Sequence, residues 1–339
     1  MKIWKILSPK VLAEEEKPDN ITTETQAKVK ITQILLTGEE LRTYCGVYKP
    51  KYPVVPGRFA VGVVAEAGPG CLNVEKNTRV YVHDVTPCGE CEYCAAGEPE
   101  ECTDTKVAGL NRNGYMRDFV VAEESDLSPL PPSVNDDEAL FIGVISVCEE
   151  VIARLNVTKG MHVAVIGAGE LGNILSQLLI YHQAVPVLID SDEEKLALAA
   201  RCGIYYTLNS DAELEENINR ITGGRFASGS VYCSFCGLPS DLPFSITATG
   251  GTVVYAGFSF PEISAQLKTA LDKRLTLTAV TNDYSNNAAA INLLVNKAVN
   301  LAPFRIQKRP VADADKIFAA EAEKNEKGLR MNYSILNML

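Results

Sequence analysis

The segment His162-Val-Ala-Val-Ile-Gly167-Ala-Gly169-Glu170-Leu171-Gly172 restricts what this chain can fold into more than any other. Five residues of strand character run into a glycine-rich turn, and the turn runs into a helix. Leu171, Ile174, Leu175, Leu178 and Leu179 fall at i, i+3, i+4, i+7 and i+8, the stripe of a face packed on a sheet. In that setting Gly167 makes the tight turn, Gly169 lets backbone approach a pyrophosphate, and Gly172 lets helix and strand pack closely. The helix start at Glu170 and Leu171 offers free N–H groups and a positive dipole end to the phosphates.

Asp190 ends the next strand, Val187-Leu-Ile-Asp190. An acid at that distance hydrogen-bonds a ribose 2′-OH and repels a 2′-phosphate. Ser191, Asp192, Glu193 and Glu194 follow, with no arginine for a phosphate, so the expectation is NAD(H) over NADP(H). A βαβ turn with an ordinary strand-end aspartate is the plainer alternative, and the spacing argues against it.

From residue 136 onward helices and strands alternate. A helix over Asp136–Leu155 precedes strands at His162–Ile166, Val185–Ile189, Ser230–Ser234, Thr252–Tyr255 and Leu275–Val280, with helices at 170–183, Asp192–Arg201 and 285–299. That order predicts an α/β domain with a doubly wound parallel sheet. The first 130 residues read instead as short β segments (Lys28–Leu36, Ala60–Ala65, Arg79–Val82, Phe119–Ala122) between Gly/Pro turns.

Inside the β-rich half, Cys88, Cys91, Cys94 and Cys102 follow a C-x2-C-x2-C-x7-C spacing. One short loop can then wrap a tetrahedral ion with four thiolates about 2.3 Å from it. Soft sulfur selects zinc or an iron–sulfur cluster. The long last interval favours zinc over a ferredoxin-type cluster, and crowding at i, i+3, i+6 opposes disulfide pairs. A site filled by four protein ligands holds structure and leaves no open position for substrate.

Length and charge bound the rest. The 339 residues suffice for two domains, and a net charge of -11 opposes a nucleic-acid or anionic-membrane partner. No apolar run reaches the roughly 18–20 residues of a membrane span, and the N-terminus lacks the apolar core of a signal peptide. The other six cysteines (Cys45, Cys71, Cys148, Cys202, Cys233, Cys236) are scattered, which fits a reducing cytoplasm.

A four-cysteine loop in a β-rich half, followed by a GxGxxG unit, resembles the medium-chain dehydrogenase/reductase family, and within it the zinc-containing alcohol and polyol dehydrogenases. Asn113-Gly-Tyr-Met-Arg-Asp-Phe-Val-Val121 is similar to the family's "DGGFAEYVV", and Gly250-Gly-Thr-Val-Val-Tyr-Ala-Gly257 to its "GGxVVxxG" strand. The resemblance implies a GroES-like catalytic domain over residues 1–143 and 280–339, carrying the zinc loop 88–102, with a Rossmann dinucleotide-binding domain over 144–279. It also implies a homodimer or homotetramer, a small-molecule substrate and one structural zinc.

The resemblance fails at the positions where such enzymes hold a second, catalytic zinc. The family's "CGxDxH" lines up with Thr37-Gly38-Glu39-Glu40-Leu41-Arg42, so Thr37 replaces the cysteine ligand. "PGHE" lines up with Pro56-Gly57-Arg58-Phe59, and the third ligand position falls on Ile142 or Gly143. An alternative alignment sets Cys45-Gly46 on the family's "CG" but leaves Arg58 and Phe59 unchanged. The three histidines, His83, His162 and His182, fall at no motif position.

Without that metal, Arg58 becomes the candidate electrophile: a permanent cation able to clamp a carboxylate, a phosphate or a developing oxyanion. Glu39 stands where the family's proton-relay hydroxyl would be, and Arg42 where its relay histidine would be. An ion pair of Arg58 with Glu39 or Glu40 that merely fills the hole is the plainer reading. Tyr44, Tyr48 and Tyr115 are further proton-donor candidates, more readily explained as packing. Three functions remain open: an NAD(H)-dependent oxidoreductase without catalytic zinc, acting on a small carbonyl, alcohol or conjugated substrate; a non-catalytic NAD(H)-binding protein; and an ordinary zinc dehydrogenase with misaligned ligands.

Overall fold

The computed structural model describes residues 1–18, 23–48, 50–233, 238–257, 267–281, 286–326 and 332–338. Contacts divide the chain into two compact units, Met1–Gly143 with Arg305–Leu339, and Val144–Phe304.

The first unit opens with an antiparallel hairpin, β1 (Lys2–Ser8) and β2 (Val11–Glu16). Ile3, Trp4 and Ile6 are buried, so the N-terminal segment is a core strand. After β3 (Gln26–Leu36) comes helix α1 (Gly38–Cys45), then β4 (Phe59–Ala67), β5 (Arg79–Val82) and β6 (Val85–Thr86). The cysteine loop carries α2 (Glu92–Ala96) and returns through β7 (Lys106–Val107), which pairs with β6. β8 (Phe119–Glu123), β9 (Leu127–Pro129) and the one-turn α3 (Asp136–Ala139) complete this stretch. The sequence read 136–155 as one helix; it breaks after α3 and resumes as α4 (Ile142–Leu155).

In the second unit β10 (His162–Ile166), α5 (Glu170–Tyr181), β11 (Val185–Asp190), α6 (Glu193–Arg201), β12 (Tyr206–Asn209), α7 (Leu214–Ile221) and β13 (Ala227–Tyr232) alternate regularly. Then follow α8 (Leu242–Ile246), β14 (Thr247–Ala256), α9 (Lys268–Asp272), β15 (Thr276–Val280) and α10 (Asn287–Val295). The six strands form a wholly parallel sheet in the order β12-β11-β10-β13-β14-β15. The order reverses at β10, which is where doubly wound sheets place their ligands. β12 and α7 had no counterpart in the sequence reading; β12, a short, half-buried edge strand, gives little periodic signal, whereas the Leu214/Ile218 spacing of α7 was there to be read.

The chain returns to the first unit through β16 (Arg305–Pro310), α11 (Ala314–Glu326) and β17 (Asn332–Asn337). β16 and β17 extend the first unit's sheet to β16-β17-β3-β4-β5-β9, with β8 paired on β3. The expected return at residue 280 is corrected to 305. Asn300, near the end of the second unit, is tied to α5: Gln177 Oε1 accepts from Asn300 N at 2.6 Å.

Among the described residues no helix is long and apolar enough to cross a membrane. The nine described cysteines are all free thiols, and Cys236 lies outside the described residues.

Candidate active site and metal centre

The loop between β6 and β7 brings the four predicted sulfurs together, all within 4.8 Å of one another. Cys88 and Cys94 are 3.9 Å apart, as are Cys91 and Cys102. A tetrahedral ion with bonds of about 2.3 Å would hold its ligands about 3.8 Å apart, so the spacing fits zinc and is far too long for disulfides. Backbone N–H groups of Cys88 and Cys91 donate to Cys102 Sγ and Cys88 Sγ, both at 3.3 Å. The N–H groups of Cys94 and Thr103 draw Cys91 down to about 6. Desolvation pushes Cys94 up to about 12, so that thiolate needs the ion itself.

The second cluster grows from the start of α1. Thr37 caps the helix, its hydroxyl accepting from Glu39 N at 3.3 Å, while Glu40 Oε2 accepts from Thr37 N at 2.9 Å and from the Thr37 hydroxyl. This is a capping box, and Thr37-Gly-Glu-Glu40 shows it in sequence as the S/T-x-x-E pattern. Cys45-Gly46 has an equally local explanation: Cys45 is the last residue of α1, and Gly46 ends it at a left-handed φ of 77°.

Arg58 leads into β4 and lies among these acids. Its backbone N donates to Glu40 Oε1 at 2.9 Å, its Nη1 to Glu39 Oε2 at 2.8 Å and its Nε to Asp84 Oδ2 at 2.7 Å. Asp84 accepts a second bond, from the Tyr81 hydroxyl at 2.8 Å. The β4–β5 register, Ala60 opposite Val82, carried outward by two residues sets Arg58 against Asp84. Arg58 is 2 % exposed and Asp84 1 %, whereas the Glu39 side chain keeps 12 %. Burial pulls the Arg58 guanidinium down, but Glu39 and Asp84 outweigh it and hold it above its ordinary range. Burial, then the Asp84 charge, raises Tyr81.

The helix α4 begins beside this cluster. A Cβ on Gly143 would meet the Phe59 ring at 2.5 Å, the Tyr81 hydroxyl at 2.7 Å and Asp84 Oδ1 at 2.9 Å. Sequence reasoning paired Arg58 with Glu39 or Glu40 but missed Asp84 and Tyr81. The available signal was a lone acid in the apolar run Val80-Tyr-Val-His-Asp84-Val85, which must find a cation if buried.

The other proton-donor candidates serve structure. The Tyr44 hydroxyl donates to Lys10 O at 3.2 Å, and the Tyr115 hydroxyl donates to His83 O. Arg42 Nη1 donates to the Tyr48 hydroxyl at 3.2 Å. His83 Nε2 lies 2.8 Å from Ser128 Oγ, and burial holds its imidazole down to about 4.

In the second unit the glycine turn has the expected form. Gly167 takes a left-handed φ of 107°, and a Cβ on Gly172 would lie 1.8 Å from Gly167 O. A Cβ on Gly169 would meet nothing within 4 Å, and α5 starts there without a side-chain cap, leaving the first N–H groups of Glu170 and Leu171 open to a ligand. Asp190 is tied to this turn: Oδ2 accepts from Ala168 N at 2.7 Å and Oδ1 from Asp192 N at 2.9 Å. Open space above an uncapped helix start fits a dinucleotide pyrophosphate.

The comparisons with known proteins agree with this division. The family models for an alcohol dehydrogenase GroES-like domain and a zinc-binding dehydrogenase match residues 23–132 and 171–296. A sorbitol dehydrogenase of Halalkalibacterium halodurans is 25 % identical over 314 residues, 91 % of this chain and 92 % of its own. A D-arabitol-phosphate dehydrogenase of Enterococcus avium is 25 % identical over 316 residues, 90 % of this chain and 89 % of its own. The structure of an alcohol dehydrogenase from Escherichia coli CFT073, solved with NADH, has a TM-score of 0.86 at 22 % identity and covers 100 % of this chain and 99 % of that one. Each family model falls within one of the two compact units, and the chain belongs to the medium-chain dehydrogenase/reductase family, among its zinc-type alcohol dehydrogenase-like oxidoreductases.

Proposed function

We propose that this protein is an NAD(H)-dependent oxidoreductase that moves a hydride to or from a small carbonyl, alcohol, polyol or conjugated substrate without a catalytic zinc. The observation that carries the reading is Arg58, buried between Glu39 and Asp84 at a position aligned with a zinc ligand of the family. Among the described residues, the cysteine quartet is the group of three or more ligating side chains close enough to share an ion.

The nicotinamide, when bound, supplies or takes the hydride. Arg58 supplies a fixed positive charge that needs no reorganisation as an oxygen becomes negative, a role otherwise filled by a Lewis acid. Glu39, the most exposed member, is the group placed to accept or return a proton. The carboxylate of Asp190 favours NAD(H) over NADP(H).

The test combines metal analysis with turnover. About one zinc per chain, NADH bound more tightly than NADPH, and turnover of an enal, quinone, keto-sugar or polyol panel that survives chelation but vanishes in Arg58→Ala would support the reading. Two zinc ions per chain would overturn it in favour of a zinc dehydrogenase. Tight NADH binding with no turnover across the panel favours the non-catalytic alternative, for which the complete pairing of Arg58 by protein acids is the supporting observation. A homodimer or homotetramer is proposed from the family resemblance and from edge strand β15, where Leu277 is 42 % exposed. Sedimentation would report a monomer if this is wrong.

A further inference from the structure

The dinucleotide turn carries two acids in different states. Asp190 commits both carboxylate oxygens to backbone donors, Ala168 N at 2.7 Å and Asp192 N at 2.9 Å. Glu170, the first residue of α5, is half-buried; its carboxylate accepts no hydrogen bond and joins no ion pair among the described residues. The start of α6 shows a committed acid at a helix end: Asp192 caps it, its Oδ1 accepting from Glu194 N at 2.9 Å and Lys195 N at 3.3 Å. At α5 the cap position falls to Gly169, which has no side chain to offer. The N–H groups there stay open, and a carboxylate belongs to the turn they begin.

The helix start cannot shift away from the glycine turn. A Cβ on Gly172 would lie 1.8 Å from Gly167 O and 3.3 Å from Val165 Cγ1, so the first turn of α5 is pressed against the end of β10. Gly167 N donates to Ile189 O at 2.7 Å, which ties the turn to β11 as well. An anion at a helix N-terminus is stabilised by the positive dipole end and by donors without intrahelical partners. A pyrophosphate draws on the same two sources. Without a dinucleotide, Glu170 complements the dipole; beside one, it is a like charge next to the phosphates.

We propose that Glu170 is an affinity-limiting residue of the dinucleotide site, a resident anion that competes with the cofactor pyrophosphate for the start of α5. A Cβ on Gly169 would meet nothing within 4 Å, so the phosphates have room and the competition is electrostatic rather than steric. The cofactor binds, but less tightly than the glycine turn alone would hold it. This competition needs only dinucleotide binding, not the hydride transfer proposed above, and operates whether or not a substrate is turned over.

The experiment titrates NADH into the zinc-loaded full chain by fluorescence at about 50 mM and about 500 mM salt, which brackets strong and weak screening. The thermal midpoint of each protein is measured without cofactor. Glu170→Gln should bind NADH about tenfold more tightly at the lower salt, the scale of one like-charge contact near a protein surface. Most of that gain should vanish at the higher salt. Glu170→Asp keeps the charge and should stay close to the wild type. ADP-ribose, which carries the pyrophosphate, should gain as NADH does, and adenosine, which lacks it, should gain nothing. Without cofactor, Glu170→Gln should melt at or slightly below the wild type, because the helix loses a favourable charge at its start. A lowered midpoint with NADH affinity unchanged or weaker would make Glu170 a structural residue only and overturn the competition. So would a gain that persists undiminished at high salt, that Glu170→Asp shares, or that adenosine shares. A wild-type chain that binds no NADH would overturn the dinucleotide site itself, and the role of Glu170 with it.

Discussion

The first unit contains two polar clusters that solve the same electrostatic problem in opposite ways. Cys88, Cys91, Cys94 and Cys102 gather four sulfurs at a half-exposed loop where the neighbouring cation, Lys106, is already paired with Asp104, so most of their charge must be met from outside. Arg58, Glu39, Glu40, Asp84 and Tyr81 bring their own cation and are buried. The loop has almost no apolar core of its own: α2 buries no residue, and its strands are two residues each. The Arg58 cluster sits at the end of β4 and β5, whose antiparallel ladder holds the backbone on either side of it. On the proposed reading, a metal is retained where nothing else can hold the backbone, and is replaceable where a surrounding sheet already does.

The largest expected effect breaks the loop alone. Cys94→Ser, or exhaustive chelation, should release the zinc and open residues 86–106, because binding energy of such an ion is folding energy, on the order of 10 kcal/mol in small zinc domains. Hydrogen exchange should rise in that loop while the amides of β4 and β5 stay protected. Exchange that spreads equally into β4 would mean that the loop and the sheet open as one.

Breaking the second cluster should cost less and behave differently. Arg58→Met leaves Asp84 and Glu39 buried without a cation, a loss of about 3–5 kcal/mol. Adding Asp84→Leu should recover a large part of it, whereas no second substitution rescues a lost cysteine ligand. Denaturant midpoints of the two singles and the double give the coupling, and simple additivity would mean the pair is not a unit.

Acid separates the clusters further. His83 is held at about 4 in the folded chain, below its ordinary 6.5, by burial. Between those values the unfolded chain binds more protons, so stability falls as pH drops from about 6.5 to 4, by up to about 3 kcal/mol. His83→Gln should flatten that slope. An unchanged slope would place the acid sensitivity elsewhere. The smallest effect belongs to Thr37→Val, which removes the cap of α1 and a partner of Glu40: about 1–2 kcal/mol of stability, read from the thermal midpoint, with zinc content unchanged.

What could be read from the sequence follows the same line. The cysteine loop and the glycine turn are local, each fixed by spacing within some fifteen residues, and both formed as expected. Glu39 and Arg58 were legible through family alignment, which names positions without naming partners. Asp84 was not, because it meets Arg58 only through the β4–β5 register. The capping box at Thr37 is written in the very residues that align with the family's ligand motif, so one pattern hides the other. Where the chain leaves the second unit was not legible, because contacts such as that of the Gln177 amide with Asn300 leave no local pattern.

Gly143 carries a consequence for the history of the chain. Any side chain there runs into the Phe59 ring, the Tyr81 hydroxyl and the Asp84 carboxylate. On the proposed reading, a cysteine or glutamate restored at that position would clash before it could ligate anything, and a histidine restored at 58 would strand two buried acids. On that reading either substitution alone would damage the protein, and a metal could enter only with several changes made together.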